Sequence, residues 1–418
     1  MRTSLPRRSL LATGAVSAAL GATALLPAAA HADPARAPGR EARVDLLAEV
    51  LDSGEQVVAL RVRSSALAPV DPDSLTTGTF TVRARGVSPL DGAVAYEQDR
   101  VVTGARFDGR DVVLELEHGY GTEAASTLLY TSGRNVQLDL EYTLTQTSPL
   151  RRRGSGAEVV LEKITQGELV SPEVDAFTHH QVEDGLKYRL FTPSPRGKGR
   201  DRALVVWLHG GGEGALLTGG HDYYDNESAL RANRGALGFA TEEAQEIFGG
   251  AYVLAPQSTS AWMDDGDGFA PQIQAVIDEV VARERIDVDR IHVTGCSNGG
   301  FMTLKMVAEH PGQFASQVPI CGAVSGPEGT FHLGDDTLRS LSDVPTWLVA
   351  AENDDTLDPI ANTVRFHELI DGSLMSLYPT VEWEGVEYPG HWSWIYVARN
   401  APEEQGVHLW EWMAVQES

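Results

Sequence analysis

The run Ile291-His292-Val293-Thr294-Gly295-Cys296-Ser297-Asn298-Gly299-Gly300 has the residue types of an activated serine. Its centre, Gly295 to Gly299, spells G-x-S-x-G between an apolar β-type segment and a helical stretch from Phe301 to Glu309. A strand-to-helix turn that sharp admits only small residues two positions either side of the serine. It also exposes the hydroxyl at a helix N-terminus, beside free backbone N–H groups. Ser297 is the expected nucleophile. A serine hydroxyl needs a base to take its proton and an acid to orient that base. The later histidines are His310, His332, His367, His391 and His408. His391 stands out because it follows Gly390 in a loop, Tyr388-Pro389-Gly390-His391-Trp392-Ser393-Trp394, that opens a helix. In the order Ser…Asp…His the acid ends a preceding strand. Asp354, after Thr346-Trp347-Leu348-Val349-Ala350, fits best, with Asp355 and Asp358 as rivals.

A second glycine cluster, His209-Gly210-Gly211-Gly212, closes the apolar run Ala203–Leu208. Glycines let backbone N–H groups approach a ligand without a Cβ in the way. Gly211, with Gly212 as an alternative, and Asn298 are the expected oxyanion donors. A phosphate loop is a poor fit, since the cluster lacks the Gly-Lys-Ser/Thr ending. His209 reads as a loop brace rather than the base. Trp262, just beyond the strand end Ala255-Pro256-Gln257, and the pair Tyr223-Tyr224 are expected to wall the substrate pocket, although aromatic packing explains the tyrosines equally well. The acidic stretch Trp262–Gly268 lacks the spacing and closing Glu of a calcium loop, so no metal is expected. His179-His180 has no evident third ligand. Cys296 and Cys321 are the two cysteines. A disulfide between them and a pair of buried thiols are equally compatible with their positions.

These side chains need rigid elements to bring them together. From residue 171 to 418, continuous apolar runs such as Ala203–Leu208 and Ala251–Ala255 alternate with helical spacing at Ile273, Val276, Ile277, Val280 and Val281. That alternation predicts an α/β fold with a mostly parallel sheet flanked by helices. Residues 41–150 instead alternate like short strands. Val58, Leu60 and Val62 form one apolar parity, and turn clusters at 52–54, 108–109 and 132–133 separate the runs. This predicts a small all-β, immunoglobulin-like sandwich, without the disulfide of antibody domains. Residues 151–170, opening with Arg151-Arg152-Arg153-Gly154-Ser155-Gly156, are expected as a linker. Residues 1–32 carry Arg7-Arg8, an apolar run and Ala30-His31-Ala32, the pattern of a cleaved, twin-arginine-like export signal. The mature chain is expected outside the cell.

The composition excludes several classes. At 418 residues and 42% hydrophobic, the chain supports two buried cores. With 33 Lys+Arg against 59 Asp+Glu, its formal charge of -26 disfavours nucleic acid and anionic membranes as partners. No segment of the mature chain is apolar enough to span a bilayer. Oligomeric state is not encoded in these features. About twenty residues separate Cys321 from the next strand near Val344, too few for a lid domain, so an open site is expected.

Taken together, the motifs resemble the α/β-hydrolase superfamily. The nearer likeness is to secreted bacterial esterases with an N-terminal immunoglobulin-like domain, of the prolyl-oligopeptidase-like and polyhydroxybutyrate-depolymerase-like kinds. It rests on His209-Gly210-Gly211-Gly212-Glu213-Gly214, Asp225-Asn226, Asn233-Arg234-Gly235-Ala236, Ala255-Pro256-Gln257, Gly295–Gly300, Pro319-Ile320-Cys321-Gly322, Asp354 and Gly390-His391. The resemblance implies hydrolysis of small or polymeric carboxylic esters through an acyl-enzyme, without a cofactor. Peptidase, polyester and feruloyl-ester hydrolysis stay open on the same residues. A non-enzymatic surface-binding role is the rival from another class.

Overall fold

The computed structural model describes residues 40–194, 201–324 and 333–418. The expected signal, residues 1–32, lies outside them, as does His332.

The sandwich contains strands β1 (Glu41–Leu51), β2 (Gly54–Arg63), β3 (Phe80–Val87), β4 (Val94–Arg100), β5 (Val102–Asp108), β6 (Asp111–Leu116), β7 (Leu128–Thr131), β8 (Arg134–Gln137) and β9 (Asp139–Gln146). The short pair β10 (Leu150–Arg151) and β11 (Glu158–Val159) and the longer β12 (Lys163–Val170) complete it. One sheet runs β12-β1-β2-β6-β5, the other β4-β3-β9, and β7–β8 is a separate hairpin. All pairings are antiparallel except β1 with β12. The stretch 151–170, expected as a linker, is therefore largely structured: β12 is the edge strand of the larger sheet. Its pattern is weak because an edge strand buries little (Ile164 and Leu169 are only half-buried). The parity expected in β2 also breaks. Pairing passes from Leu47–Ala59 to Ala48–Val57, so Val58 bulges out and Val57 joins Leu60 and Val62 in the core. A bulge inserts one unpaired residue and reverses the facing of everything beyond it.

The second part is built on eight strands: β13 (Phe177–Gln181), β14 (Lys187–Phe191), β15 (Arg202–Leu208), β16 (Ala251–Gln257), β17 (Ile286–Cys296), β18 (Ser316–Ile320), β19 (Trp347–Ala351) and β20 (Leu374–Tyr378). Their order is β13-β14-β16-β15-β17-β18-β19-β20. Pairings involving β13 and β14 are antiparallel, and those from β16 through β20 are parallel. The α/β fold with a mixed, mostly parallel sheet preceded by a β-sandwich is as expected. Strand β15 explains its own continuous apolar run. Leu204, Val206 and Leu208 enter one hydrophobic cluster, while Ala203, Val205 and Trp207 enter another. Both faces are buried, so no polar alternation survives. Two helices matter for the site: α1 (Gly266–Arg283) and α2 (Asn298–Glu309). Within the described residues, no helix is long and apolar enough to cross a membrane.

Residues Arg40–Ser418 form one continuous packed unit. The turn between β1 and β2 docks on the α/β part. The Arg399 guanidinium donates to both Asp52 carboxylate oxygens at 3.0 Å, and Arg234 donates to the Val50 carbonyl at 2.6 Å. Arg231 pairs with the fully buried Glu55. Breaking such a buried pair leaves an uncompensated charge, so these contacts fix one docking geometry.

Candidate active site

Ser297 sits between β17 and α2 at φ 55 and ψ −112. A non-glycine residue at positive φ is costly and persists only where its surroundings impose it. Here its N–H donates to the Ile320 carbonyl at 2.8 Å, and its carbonyl accepts from Phe301 N–H at 3.1 Å. The flanking glycines are steric necessities. A Cβ on Gly299 would lie 1.9 Å from the Leu208 carbonyl oxygen, and one on Gly295 would lie 2.5 Å from the same atom. The end of β15 thus presses directly on the elbow.

Asp354 follows β19 and its side chain is buried. One carboxylate oxygen accepts from Thr356 N–H and Leu357 N–H, both at 2.9 Å. The other accepts from His391 Nδ1 at 2.8 Å. The His391 carbonyl accepts from the Cys321 thiol at 3.2 Å, so the loop is held from two sides. Ser297 and His391 both line one cavity of about 780 Å³, together with Gly210, Gly211, Glu213 and Asn298. That volume suits a small organic ligand. Asp355 and Asp358, the rivals for the acid, are not part of this hydrogen-bonded pair; Asp358 caps Ile360 N–H instead. The Gly211 and Asn298 N–H groups have no acceptor among the described residues. The Asn298 side chain is occupied, accepting from Met263 N–H at 2.9 Å.

His209 is a brace. It is fully buried, its Nδ1–H donates to the Gly210 carbonyl at 2.6 Å, and its Nε2 accepts from Ser258 N–H at 3.0 Å. Burial pushes its pKa down to about 4, so the ring is neutral.

Three pocket expectations are corrected. Trp262 is fully buried, not on the cavity wall. Its indole N–H donates to the His209 carbonyl at 3.0 Å and its ring packs on His209 and Phe269. Tyr223 and Tyr224 also lie away from the cavity. The Tyr223 hydroxyl donates to Asp225 and accepts from Gln137 N–H, while the Tyr224 hydroxyl donates to the Gln257 carbonyl and accepts from Lys187 N–H. Aromatics at a strand end serve the loop they brace as readily as a ligand. The cysteines are free thiols, both buried, and burial pushes Cys321 up to about 12. Within the described residues, Cys321, Asp354 and His391 are one group with ligand-type atoms close enough for a metal. The Asp354–His391 hydrogen bond already uses two of those atoms. In the stretch 262–268, Asp264 and Asp265 cap backbone N–H groups and Asp267 pairs with Lys305.

No sequence pattern marks the cavity walls. Leu128, Tyr130, Arg134 and Asn135 from the β7–β8 hairpin line it, so the sandwich borders the site that the α/β part alone would leave open. Part of the short segment on which the expectation of an open site rests, residues 325–332, lies outside the described residues. Glu213 is buried and lines the cavity. Loss of hydration pushes its pKa up to about 7, against the pull of hydrogen bonds from Asn135 and the Gly210 N–H and of the Arg134 charge. An acid held above its unfolded pKa of 4.5 binds more protons when folded. Its contribution therefore weakens folding as pH rises from about 4.5 to 7, and the loss then levels off. Glu213→Gln removes that cost. Between pH 4 and pH 8 the stability of the variant relative to the parent is expected to rise by about 3 kcal/mol. Urea melts at the two pH values measure it.

Comparison with known proteins agrees with this layout. The family model "Esterase Ig-like N-terminal domain" matches residues 43–156, and "Prolyl oligopeptidase family" matches residues 258–326, which include the elbow. In structure, the chain superposes on a thermostable esterase with a TM-score of 0.72, covering 90% of this chain and 99% of that one at 24% identity. The chain has an α/β-hydrolase fold preceded by an N-terminal immunoglobulin-like domain. Curated relatives match it over shorter stretches. NocK of Nocardia uniformis subsp. tsuyamanensis, named as an esterase, is 30% identical over 141 residues, 34% of this chain and 39% of NocK. Poly(3-hydroxyalkanoate) depolymerase C of Paucimonas lemoignei is 38% identical over 84 residues, 17% of this chain and 20% of that protein. The matches thus span less than half the length of either relative.

Proposed function

We propose that this chain is an exported serine hydrolase that cleaves carboxylic esters through an acyl-enzyme on Ser297. The observation that carries the proposal is the 2.8 Å hydrogen bond from His391 Nδ1 to the buried Asp354, with His391 facing the cavity that Ser297 borders. With its proton on Nδ1, the imidazole has Nε2 available as a base. Ser297 Oγ attacks the ester carbonyl carbon while His391 Nε2 takes the hydroxyl proton. The carbonyl oxygen becomes an oxyanion facing the Gly211 and Asn298 N–H groups, and Asp354 stabilises the imidazolium. Collapse breaks the bond to the alcohol oxygen, which receives the proton from His391. Water then repeats the sequence on the acyl-enzyme, releasing the acid and restoring Ser297. Every proton is carried by His391, so the route needs no cofactor.

A peptidase is the second reading, favoured by the prolyl oligopeptidase model that spans the elbow. The kinship to a polyester depolymerase keeps polymeric esters among the candidate substrates. The test is labelling by a fluorophosphonate followed by peptide mapping, with parallel assays on p-nitrophenyl acetate, p-nitrophenyl butyrate and prolyl amides. One label per chain on the peptide containing Ser297, with ester turnover far above amide turnover, is expected. Labelling elsewhere ends the proposal, and faster amide turnover moves it to the peptidase reading. Export through residues 1–32 is checked by finding Asp33 as the N-terminus of protein recovered from culture medium.

A further inference from the structure

The β7–β8 hairpin does more than border the cavity. Asn135, in β8, donates from Nδ2 to a Glu213 carboxylate oxygen at 3.0 Å. Glu213 ends the short turn Gly211–Glu213 that carries one of the two oxyanion N–H groups. From its other side, the Glu213 carbonyl accepts from Gln257 Nε2 at 2.9 Å. The hairpin is itself anchored to the α/β part, because the Asn135 carbonyl accepts from Ser228 Oγ at 3.0 Å and Gln137 N–H donates to Tyr223 at 2.7 Å. Contact with the glycine loop is close. A Cβ on Gly212 would lie 3.1 Å from Asn135 Nδ2 and 3.3 Å from the Tyr130 ring. The glycine run therefore answers to the sandwich as well as to the substrate.

We propose that Asn135 is a positioning residue for ester hydrolysis: through Glu213 it holds the Gly210–Gly214 loop so that the Gly211 N–H points at the oxyanion. The inference rests on the Ser297 hydrolase reading above. The sandwich is then part of the catalytic apparatus. An oxyanion donor acts by being fixed before charge develops, so slackening its loop lowers kcat while leaving ground-state binding nearly unchanged. Losing such a donor outright typically costs about 100- to 1000-fold in kcat, and a loosened donor costs part of that.

The experiment uses the full chain and three variants: Asn135→Ala, Asn135→Asp, and Asn135→Asp combined with Glu213→Gln. All are assayed at pH 9, above the Glu213 pKa of about 7, because below it the Glu213 proton would bridge to the carboxylate of the Asn135→Asp variant. There the first two remove the donor and are expected to lower kcat on p-nitrophenyl butyrate about tenfold or more, with KM changed less than about threefold. The double variant restores the hydrogen bond with donor and acceptor exchanged. It is expected to recover most of kcat, which a general loss of folding would not do. If Asn135→Ala does not fold, the decision falls to the Asn135→Asp and double variants compared at equal folded fraction. Single variants with parental kcat, or a double variant no better than Asn135→Asp alone, overturn the inference. Ser297→Ala, assayed alongside, separates the two levels. If it is inactive while the Asn135 variants match the parent, only the positioning role fails. If it is active, the hydrolase reading fails first.

Discussion

Ser297→Ala is expected to lower kcat on p-nitrophenyl butyrate by about 10⁶-fold, as removal of a triad nucleophile typically does. The size follows from what is lost. Without Oγ there is no covalent route, and only the oxyanion groups and binding remain to assist attack by water. The fold is expected to stay intact. The backbone contacts that hold the elbow, Ser297 N–H to Ile320 and Phe301 N–H to Ser297, do not involve the side chain. Alanine has the same Cβ as serine at φ 55, so the strain is unchanged. The neighbouring Cys296 offers no substitute nucleophile. Its thiol is fully buried, and burial together with nearby Glu213 raises its pKa well above the ordinary thiol range. The measurement is steady-state turnover on protein whose melting temperature stays within about 2 °C of the parent. Residual activity near the parental level would remove Ser297 from the mechanism altogether.

The parts of the site that the sequence reveals are those dictated by local geometry. The elbow can be read because its glycines face a neighbouring strand too closely for any side chain, so composition and position are bound together. The sequence points to Asp354 and His391, which the fold joins by a hydrogen bond, because each closes an apolar strand or opens a loop in a fixed chain order. Trp262 misleads for a physical reason. The rim of a parallel sheet is where ligands bind, but also where loops must be braced, and a tryptophan there fills either need. Its 3.0 Å bond to the His209 carbonyl depends on the path of another loop, which no local pattern records. The hairpin residues Tyr130, Arg134 and Asn135 are harder still. Their role arises where two domains meet, more than seventy residues from the loop they touch. Glu213 was the one available hint, a carboxylate directly after a glycine run, but nothing in the chain names its partner. Strand β12 leaves no readable pattern in the sequence because its pairing with β1 is parallel and distant, and an edge strand needs no alternating apolar face.

Asp354→Asn is the substitution that tests the orientation of the base most directly, because the structure dictates how the new amide must sit. One Asp354 oxygen accepts two backbone N–H groups, from Thr356 and Leu357 at 2.9 Å. An asparagine placed there must keep its carbonyl oxygen on those donors, since turning its NH₂ toward them would set donor against donor in a buried pocket at a cost of about 1–3 kcal/mol per unmet group. The NH₂ then faces His391 Nδ1, now 2.8 Å from a donor instead of an acceptor. The imidazole answers by carrying its proton on Nε2, the nitrogen that must be bare to deprotonate Ser297. The imidazolium formed during attack also loses its counter-charge. Together these effects are expected to lower kcat about 10⁴-fold, with little change in KM or in stability, since the shape is preserved. Asp354→Ala removes the backbone caps as well and is expected to unfold at lower temperature. A variant pair in which Asp354→Asn keeps parental kcat would mean that Asp354 serves only to cap its own loop. Nitrogen-15 NMR of the imidazole supplies an independent reading: the parent should show its proton on Nδ1 and Asp354→Asn on Nε2, the same exchange of tautomer that the kinetic loss requires.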